Sequence, residues 1–450
     1  MADTRPASVS FRQALAYWLK LGFISFGGPA GQIAIMHQDL VERRRWISER
    51  RFLHALNYTM LLPGPEAQQL ATYIGWLMHG SWGGIAAGGL FILPSLFILI
   101  ALSWIYLAFG SHPEVAGILY GIKPAVVAIV AFAVYRIGAR ALKNNIMLGI
   151  ALAAFIAIFS SGIFYPGFTS FPYIILTAAL IGLIGGYLAP DKFKLSGSHG
   201  AANKDYGPAL IDDDTLQAVH TRFKWPRIIV YACIGIGLWL GAMIWLYNVY
   251  GWHGVLTQMG WFFTKAALLT FGGAYAVLPY VYQGAVEHYH WLTAAQMIDG
   301  LALGETTPGP LIMVVTFVGF VGGWTHQLFG PDSLALAGIA AACVVTYFTF
   351  IPSFLFILVG APLVEATRHE IKLTAPLSAI TAAVVGVILN LAVFFAWHVF
   401  WPKGWDAQVD WLGVLMSVVI FIGLWRYRWG IIPVVLGSGL FGLVVMSGNG

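Results

Sequence analysis

Two lysines occupy matching places in the chain. Lys20 and Lys265 each lie six residues before a Phe-Gly-Gly triplet, Phe26-Gly27-Gly28 and Phe271-Gly272-Gly273, within otherwise apolar stretches. Two carboxylates flank a second repeated triplet: Glu66 follows Pro63-Gly64-Pro65, and Glu305 precedes Thr306-Thr307-Pro308-Gly309-Pro310. An ammonium group inside an apolar segment is costly and is usually functional. Glycine lets a backbone approach a ligand closely. A helix that restarts after a break presents free N–H groups and a partial positive charge there. Two ammonium groups with several helix N-termini make a receptor for a small divalent oxyanion and a poor one for a cation. Gln68, just past the break, adds donors, and Lys123 before Pro124 is a third cationic candidate. Glu66 and Glu305 suit coupling or gating, either by accepting a proton or by neutralising a lysine when no anion is bound. Each residue also has a plainer role. The lysines can snorkel to the interface, Lys123 can sit at a proline kink, and Glu66 can complement a helix dipole.

The elements that must position these groups are membrane helices. The 450 residues are 59% hydrophobic and 10% charged, against roughly 25% charged in soluble domains. Continuous apolar segments near 82–109, 115–141, 145–161, 171–189, 227–250, 334–360, 375–400, 409–425 and 429–447 are each read as crossing a bilayer as a helix. The runs do not alternate, which excludes a β-barrel. Four further segments, about 11–40, 51–79, 254–286 and 293–325, are interrupted by the Gly/Pro triplets, with Pro63, Pro65, Pro308 and Pro310 at the breaks.

The triplets repeat at a constant shift. Adding 245 pairs Lys20 with Lys265, Gln38 with Gln283, Glu42 with Glu287, Trp46 with Trp291 and Pro63-Gly64-Pro65 with Pro308-Gly309-Pro310. Residues 20–65 carry 12 such identities, where average composition gives about 3. Pro94-Ser95 and Pro352-Ser353 repeat at 258, which places a 13-residue insertion near GGWTHQLFGPDS. The chain is an internal duplication. It divides into a first repeat (1–189), a solvated linker (190–226), a connecting transmembrane helix (227–253) and a second repeat (254–450).

Lysine and arginine set the expected topology. If the broken segments are re-entrant hairpins, Arg5, Arg12, the Arg43–Arg51 cluster, Arg136, Arg140, Lys143, the linker, Arg368, Lys372, Arg426 and Arg428 all face the cytoplasm. Only Lys403 then falls in an outside loop. The N-terminus is expected in the cytoplasm and the C-terminus outside. The helix at 227–250 flips the second repeat. The predicted fold is therefore an all-α polytopic membrane protein with two inverted-topology repeats, whose re-entrant, broken helical hairpins meet at mid-membrane. Secondary transporters are built this way.

Other classes find no support. The basic residues sit in short loops, where they read as topology signals, so nucleic acid is not an expected partner. No P-loop or nucleophile–base spacing suggests an ATP-driven pump or an enzyme. Neither a cofactor nor a metal is expected. The bilayer is the obligatory partner, and small residues in GGIAAGGL would allow the close packing of a homodimer.

The segments FISFGGPAGQIAIMHQDLVERRRWISERRF, LLPGPEAQQLATYIGW, LPSLF and KPAVVA, with FGGAYAVLPYVYQGAVEHYHWLT and GETTPGPLI, resemble the chromate ion transporter family. The resemblance runs from about residue 11 to 447 and is to its long form with two oppositely oriented halves. It implies chromate efflux across a bacterial inner membrane and chromate resistance, with sulfate as the chemically similar anion. It puts weight on Gly27, Gly28, Pro63, Gly64, Pro65, Glu66 and Gln68, and on Gly272, Gly273, Glu305, Pro308, Gly309 and Pro310. Because Glu66 aligns with Leu311 and Met60 with Glu305, a symmetric two-carboxylate mechanism is not expected. The alternatives are a carrier of sulfate or another tetrahedral oxyanion, or an anion channel on the same scaffold.

Overall fold

Lipid offers the backbone no hydrogen-bond partners, so apolar stretches of this length close their bonds internally as helices. A computed structural model describes residues 6–26, 28–110, 112–165, 170–193, 206–212, 221, 223–271, 273–367, 374–402, 404 and 408–448. Among them are sixteen α-helices and no strand. In chain order the first half holds α1 (Phe11–Ile24), α2 (Gly28–His37), α3 (Glu49–Thr59), α4 (Glu66–Phe109), α5 (Pro113–Ala141), α6 (Asn145–Phe164) and α7 (Phe171–Leu188). α8 (Trp225–Tyr250) connects to α9 (Val255–Leu268), α10 (Ala274–Tyr282), α11 (Ala294–Thr306), α12 (Val314–Thr325), α13 (Leu334–Thr367), α14 (Thr374–Phe400), α15 (Trp411–Arg426) and α16 (Ile431–Gly448).

Seven of these, α4 to α8, α13 and α14, are long and apolar enough to cross a membrane. The chain is a multi-pass membrane protein. α15 and α16, expected as full spans, form a shorter apolar class with α12. Residues 66–79 and 82–109, expected as separate elements, run together as α4, bent where His79 and Gly80 (φ 66°, ψ −159°) leave helical space. The broken segments separate where the triplets predict. α1 and α2 part at Ser25-Phe26, α3 and α4 at Met60–Pro65, α9 and α10 at Leu269–Gly273, and α11 and α12 at Thr307–Pro310.

The duplication is visible in local detail. π-helical turns at Gln38–Arg43 and Gln283–His288 lie 245 residues apart, as do the left-handed residues Arg45 (φ 51°) and His290 (φ 53°). The Trp46 amide donates to the Leu40 carbonyl and the Trp291 amide to that of Ala285, both at 2.8 Å. Ser48 caps α3 and Thr293 caps α11 through the backbone three residues on.

Helices from the two halves interleave. α5 packs on α14, α15 and α16, α14 also covers α6 and α7, and α13 lies against α4, α9 and α12. Small residues permit the tightest crossing, since a Cβ on Gly121 of α5 would meet the Cα of Gly442 on α16 at 2.9 Å. α8 leaves Ile229, Ile236, Leu240 and Ile244 exposed, as a lipid-facing helix must. The linker is more than a solvated tether where it is described. Leu210 and Ile211 donate their amides to the carbonyls of Arg45 and Trp46, and the Ser48 amide donates to Ile211.

Candidate functional site

The Gly/Pro breaks meet one another. The Gly64 amide donates to the Thr270 carbonyl at 2.7 Å, and the Gly309 amide donates to the Ser25 carbonyl at 2.8 Å. The shift of 245 turns one of these bonds into the other. Gly64 (φ +125°) and Gly309 (φ +100°) hold conformations that favour glycine, and neither has room for a Cβ. At Gly309 a Cβ would meet that of Ser95 at 2.9 Å, and at Gly64 it would strike the Ser353 hydroxyl. Ser95 and Ser353 are themselves partners at the 258 shift. The bonds therefore join each Pro-Gly-Pro turn to the Phe-Gly-Gly break of the other half.

Amide side chains complete the crossing. Gln32 donates to the carbonyls of Gly309 (2.6 Å) and Ser25 (3.3 Å), and Gln69 donates to that of Pro63 (2.8 Å). Gln68 donates to the Thr72 hydroxyl at 3.1 Å. Around these bonds, the hydroxyls of Ser25 and Ser95 and the side-chain oxygens of Gln32, Gln68 and Gln69 are buried without partners. Buried polar atoms are normally paired, and these five have no hydrogen-bond partner among the described residues.

Ser10, Ser48 and Thr293 cap the outer ends of α1, α3 and α11. At the breaks, no side chain caps α4 at Pro65 or α10 at Gly273. Their first N–H groups remain available to an anion. Gly28 (φ +71°) has no atom within 4 Å of a built Cβ, and Gly273 (φ +97°) has only Pro29, at 4.0 Å, so both border open space. Gly27 and Gly272 lie outside the described residues.

The charged candidates are dispersed. Glu305 is buried and accepts a hydrogen bond from the Tyr275 hydroxyl, in the first turn of α10. Glu66 is half-buried beside the Pro65 turn and has no hydrogen bond or ion pair among the described residues. Lys265 is half-buried with its ammonium 5.7 Å from the centre of the Trp261 ring. Lys20 is exposed and lines a cavity with Gln38, Asp39, Arg43 and Arg44. Lys123 lies 3.7 Å from Asp299, which also takes a hydrogen bond from Tyr106 at 2.9 Å. Pro308 and Pro310 flank Gly309 in the second turn, as Pro63 and Pro65 flank Gly64 in the first.

Several residues of this region were not singled out by their sequence context. Ser25, Gln32, Thr270 and Tyr275 carry no motif of their own. A shared hydroxyl at Ser25 and Thr270, 245 residues apart, was the available signal. Arg136 is a cation near the end of α5, half-buried and within electrostatic reach of Glu305 and Tyr275.

The comparisons with known proteins are of one kind. The profile of a family described as "Chromate transporter" matches residues 12–183 and again 257–443, so its two matches begin 245 residues apart. A chromate transport protein of Pseudomonas aeruginosa is 31% identical over 452 residues, 99% of this chain and 95% of its own length. One of Cupriavidus metallidurans is 28% identical over 439 residues, covering 97% of this chain and 93% of that protein. An uncharacterized transporter of Bacillus subtilis, YwrB, is 28% identical over 134 residues, 30% of this chain and 68% of its own. No solved structure matches the chain. A profile that fits both halves, and relatives that run beside nearly every residue, make this chain a member of the chromate transporter family.

Proposed function

We propose that the protein is a secondary transporter that exports chromate from the cytoplasm and so confers chromate resistance. The dianion binds where the four breaks meet. Uncapped N–H groups of α4 and α10, the Gln68 side chain and the open faces of Gly28 and Gly273 provide its coordination. Lys265 and the half-buried Arg136 supply positive charge nearby. Glu66 and Glu305 are the coupling groups, one in each half and at non-equivalent positions. The two repeats, opposite in orientation, rock about this crossing to open it to one side and then the other.

One observation carries the proposal: the reciprocal pair Gly64–Thr270 and Gly309–Ser25. Contacts that exchange under the repeat shift are what an exchange axis between the halves would produce, and the unpartnered polar atoms lie around the same bonds. Discontinuous helices meeting at an inter-repeat axis are where secondary carriers bind substrate. The basic residues support a cytoplasmic N-terminus and an outer C-terminus, and the family relationship supports an inner-membrane location. An inside-negative potential favours anion export by about 2.3 kcal/mol per charge per 100 mV, hence about 4.6 kcal/mol for a dianion. No ATP is required.

The test is uptake of labelled chromate into inside-out vesicles, with sulfate as competitor and with imposed voltage and pH gradients. The proposal requires saturable uptake, accelerated by an inside-positive vesicle potential and weakly inhibited by sulfate. Equal competition by sulfate would make the protein a general oxyanion carrier. Non-saturating flux without counterflow would make it a channel.

A further inference from the structure

We propose that the cavity between α1 and the π-helical turn after α2 is a second anion site, separate from the crossing, that takes a tetrahedral oxyanion on the arginine-rich side of the membrane. The cavity holds about 450 Å³. Lys20, Arg43 and Arg44 line it together with Asp39 and Gln38. Counting Asp39, its lining carries a net charge of +2, the complement of a dianion.

The three cations are held differently. Arg43 is 3.3 Å from Asp39, one turn earlier, and is partly neutralised by it. The Arg44 guanidinium lies over the rings of Tyr17 and Trp46, 5.0 Å from each centre. Ring faces fix its position without using its N–H groups, which have no hydrogen bond or ion pair among the described residues and form the fork that suits an oxyanion. Lys20 has no ion pair or hydrogen bond among the described residues. Tyr17, beneath Arg44, is 4% exposed and its hydroxyl is buried without a partner.

The duplication supplies an internal control. The positions of Arg43, Arg44 and Asp39 recur in the second half as His288, Tyr289 and Gly284. Tyr289 stacks on Trp291 at 4.5 Å, as Arg44 covers Trp46. The same turn therefore folds with a neutral ring in place of the guanidinium. Packing does not require the charge, and only one end of the molecule carries it.

The oxyanion has two sources, a free ion captured from the cytoplasm or the phosphate of an anionic lipid at the rim. Its role as an entry site for exported substrate rests on the transport function proposed above; binding does not. The experiment compares the full-length wild type with Lys20→Gln/Arg44→Gln and with the charge-retaining Lys20→Arg/Arg44→Lys, in nanodiscs. All three should melt alike, because both side chains are exposed. Equilibrium binding of labelled chromate is measured in phosphatidylcholine discs, and retention of phosphatidylglycerol by native mass spectrometry in mixed discs. Charge removal should weaken one of the two at least about tenfold, since two charge-assisted contacts are lost and one alone is worth about that much, and the charge-retaining variant should restore most of it. Loss of chromate identifies the free ion, and loss of lipid identifies the headgroup. Unchanged binding of both probes overturns the site, even with transport intact. A wild type that moves no chromate, yet shows the binding difference, would overturn the transport function and leave the cavity standing.

Discussion

The guanidinium of Arg51 lies 3.2 Å from the carboxylate of Glu365 and ties the foot of α3 to the far end of α13. The other oxygen of Glu365 accepts a hydrogen bond from Tyr73 at 2.6 Å. A looser contact joins the middle of α11 to α5 and α4 through Lys123, Asp299 and Tyr106. Each helix that leads into a Pro-Gly-Pro turn thus carries an ion pair, near its start in α3 and at its middle in α11, while the turn itself makes the crossing bond. The charge is reversed between the two anchors: the cation sits on α3 in one and the anion on α11 in the other.

Removing one member of the first anchor leaves a buried charge without its partner. Arg51 and Glu365 are 12% and 3% exposed, a setting in which such a loss costs about 3–5 kcal/mol. Arg51→Met or Glu365→Gln should lower the melting temperature of the detergent-solubilised protein markedly. The double variant should recover part of it. Equal melting of single variants and wild type would show the pair to be dispensable.

The second anchor should be weaker. Lys123 is 31% exposed and stands 3.7 Å from Asp299, beyond hydrogen-bond distance, so its coupling should be smaller than that of Arg51 and Glu365. Double-mutant cycles on both pairs check the order. A larger coupling for Lys123–Asp299 would reverse the ranking drawn from burial.

Alanine at the break glycines should separate crowding from conformation. Gly64→Ala and Gly309→Ala meet both a positive φ and occupied space, so each should destabilise by about 2 kcal/mol or more and abolish chromate uptake. Gly28→Ala meets open space and should cost only the backbone strain, about 1 kcal/mol. Thermal melts and vesicle uptake on the three variants test this order. A Gly28 variant as damaged as the Gly64 variant would contradict it.

Glu66 has no hydrogen bond or ion pair among the described residues, which fits a group that exchanges protons with the transport path. With voltage clamped, an acidic interior should accelerate chromate uptake into inside-out wild-type vesicles, because chromate enters as a proton leaves. Glu66→Gln should remove that acceleration and keep the response to voltage. A pH response that survives the substitution would assign coupling elsewhere, with Glu305 next in line.

The elements could be read from sequence because lipid leaves an apolar stretch little choice of backbone, and the four breaks because Gly and Pro interrupt helices wherever they fall. The repeat shift was legible for the same reason: Phe26 and Phe271, or Pro63 and Pro308, stand in identical local contexts. Partnerships across the molecule were not legible. Nothing near Lys123 announces Asp299, 176 positions away, and nothing near Gln32 announces the Gly309 carbonyl. Lys20 illustrates the limit well. Its spacing from Phe26 suggested the break, whereas its helix face turns it toward Arg43 and Arg44. The boundary read between 79 and 82 is present as a bend at His79-Gly80, where the helix continues as α4 instead of ending.

Leu210 and Ile211 are stapled to Arg45 and Trp46, at the corner where the first hairpin turns outward again. The peptide that leads on to the second half is therefore leashed to the very turn that must shift if the first half tilts. From that turn the chain reaches α8 only through the stretch between Ile211 and Trp225. Its length sets how far one half can travel before it pulls on the other, so shortening the stretch between Ile211 and Trp225 would throttle turnover without touching a single group that meets the cargo.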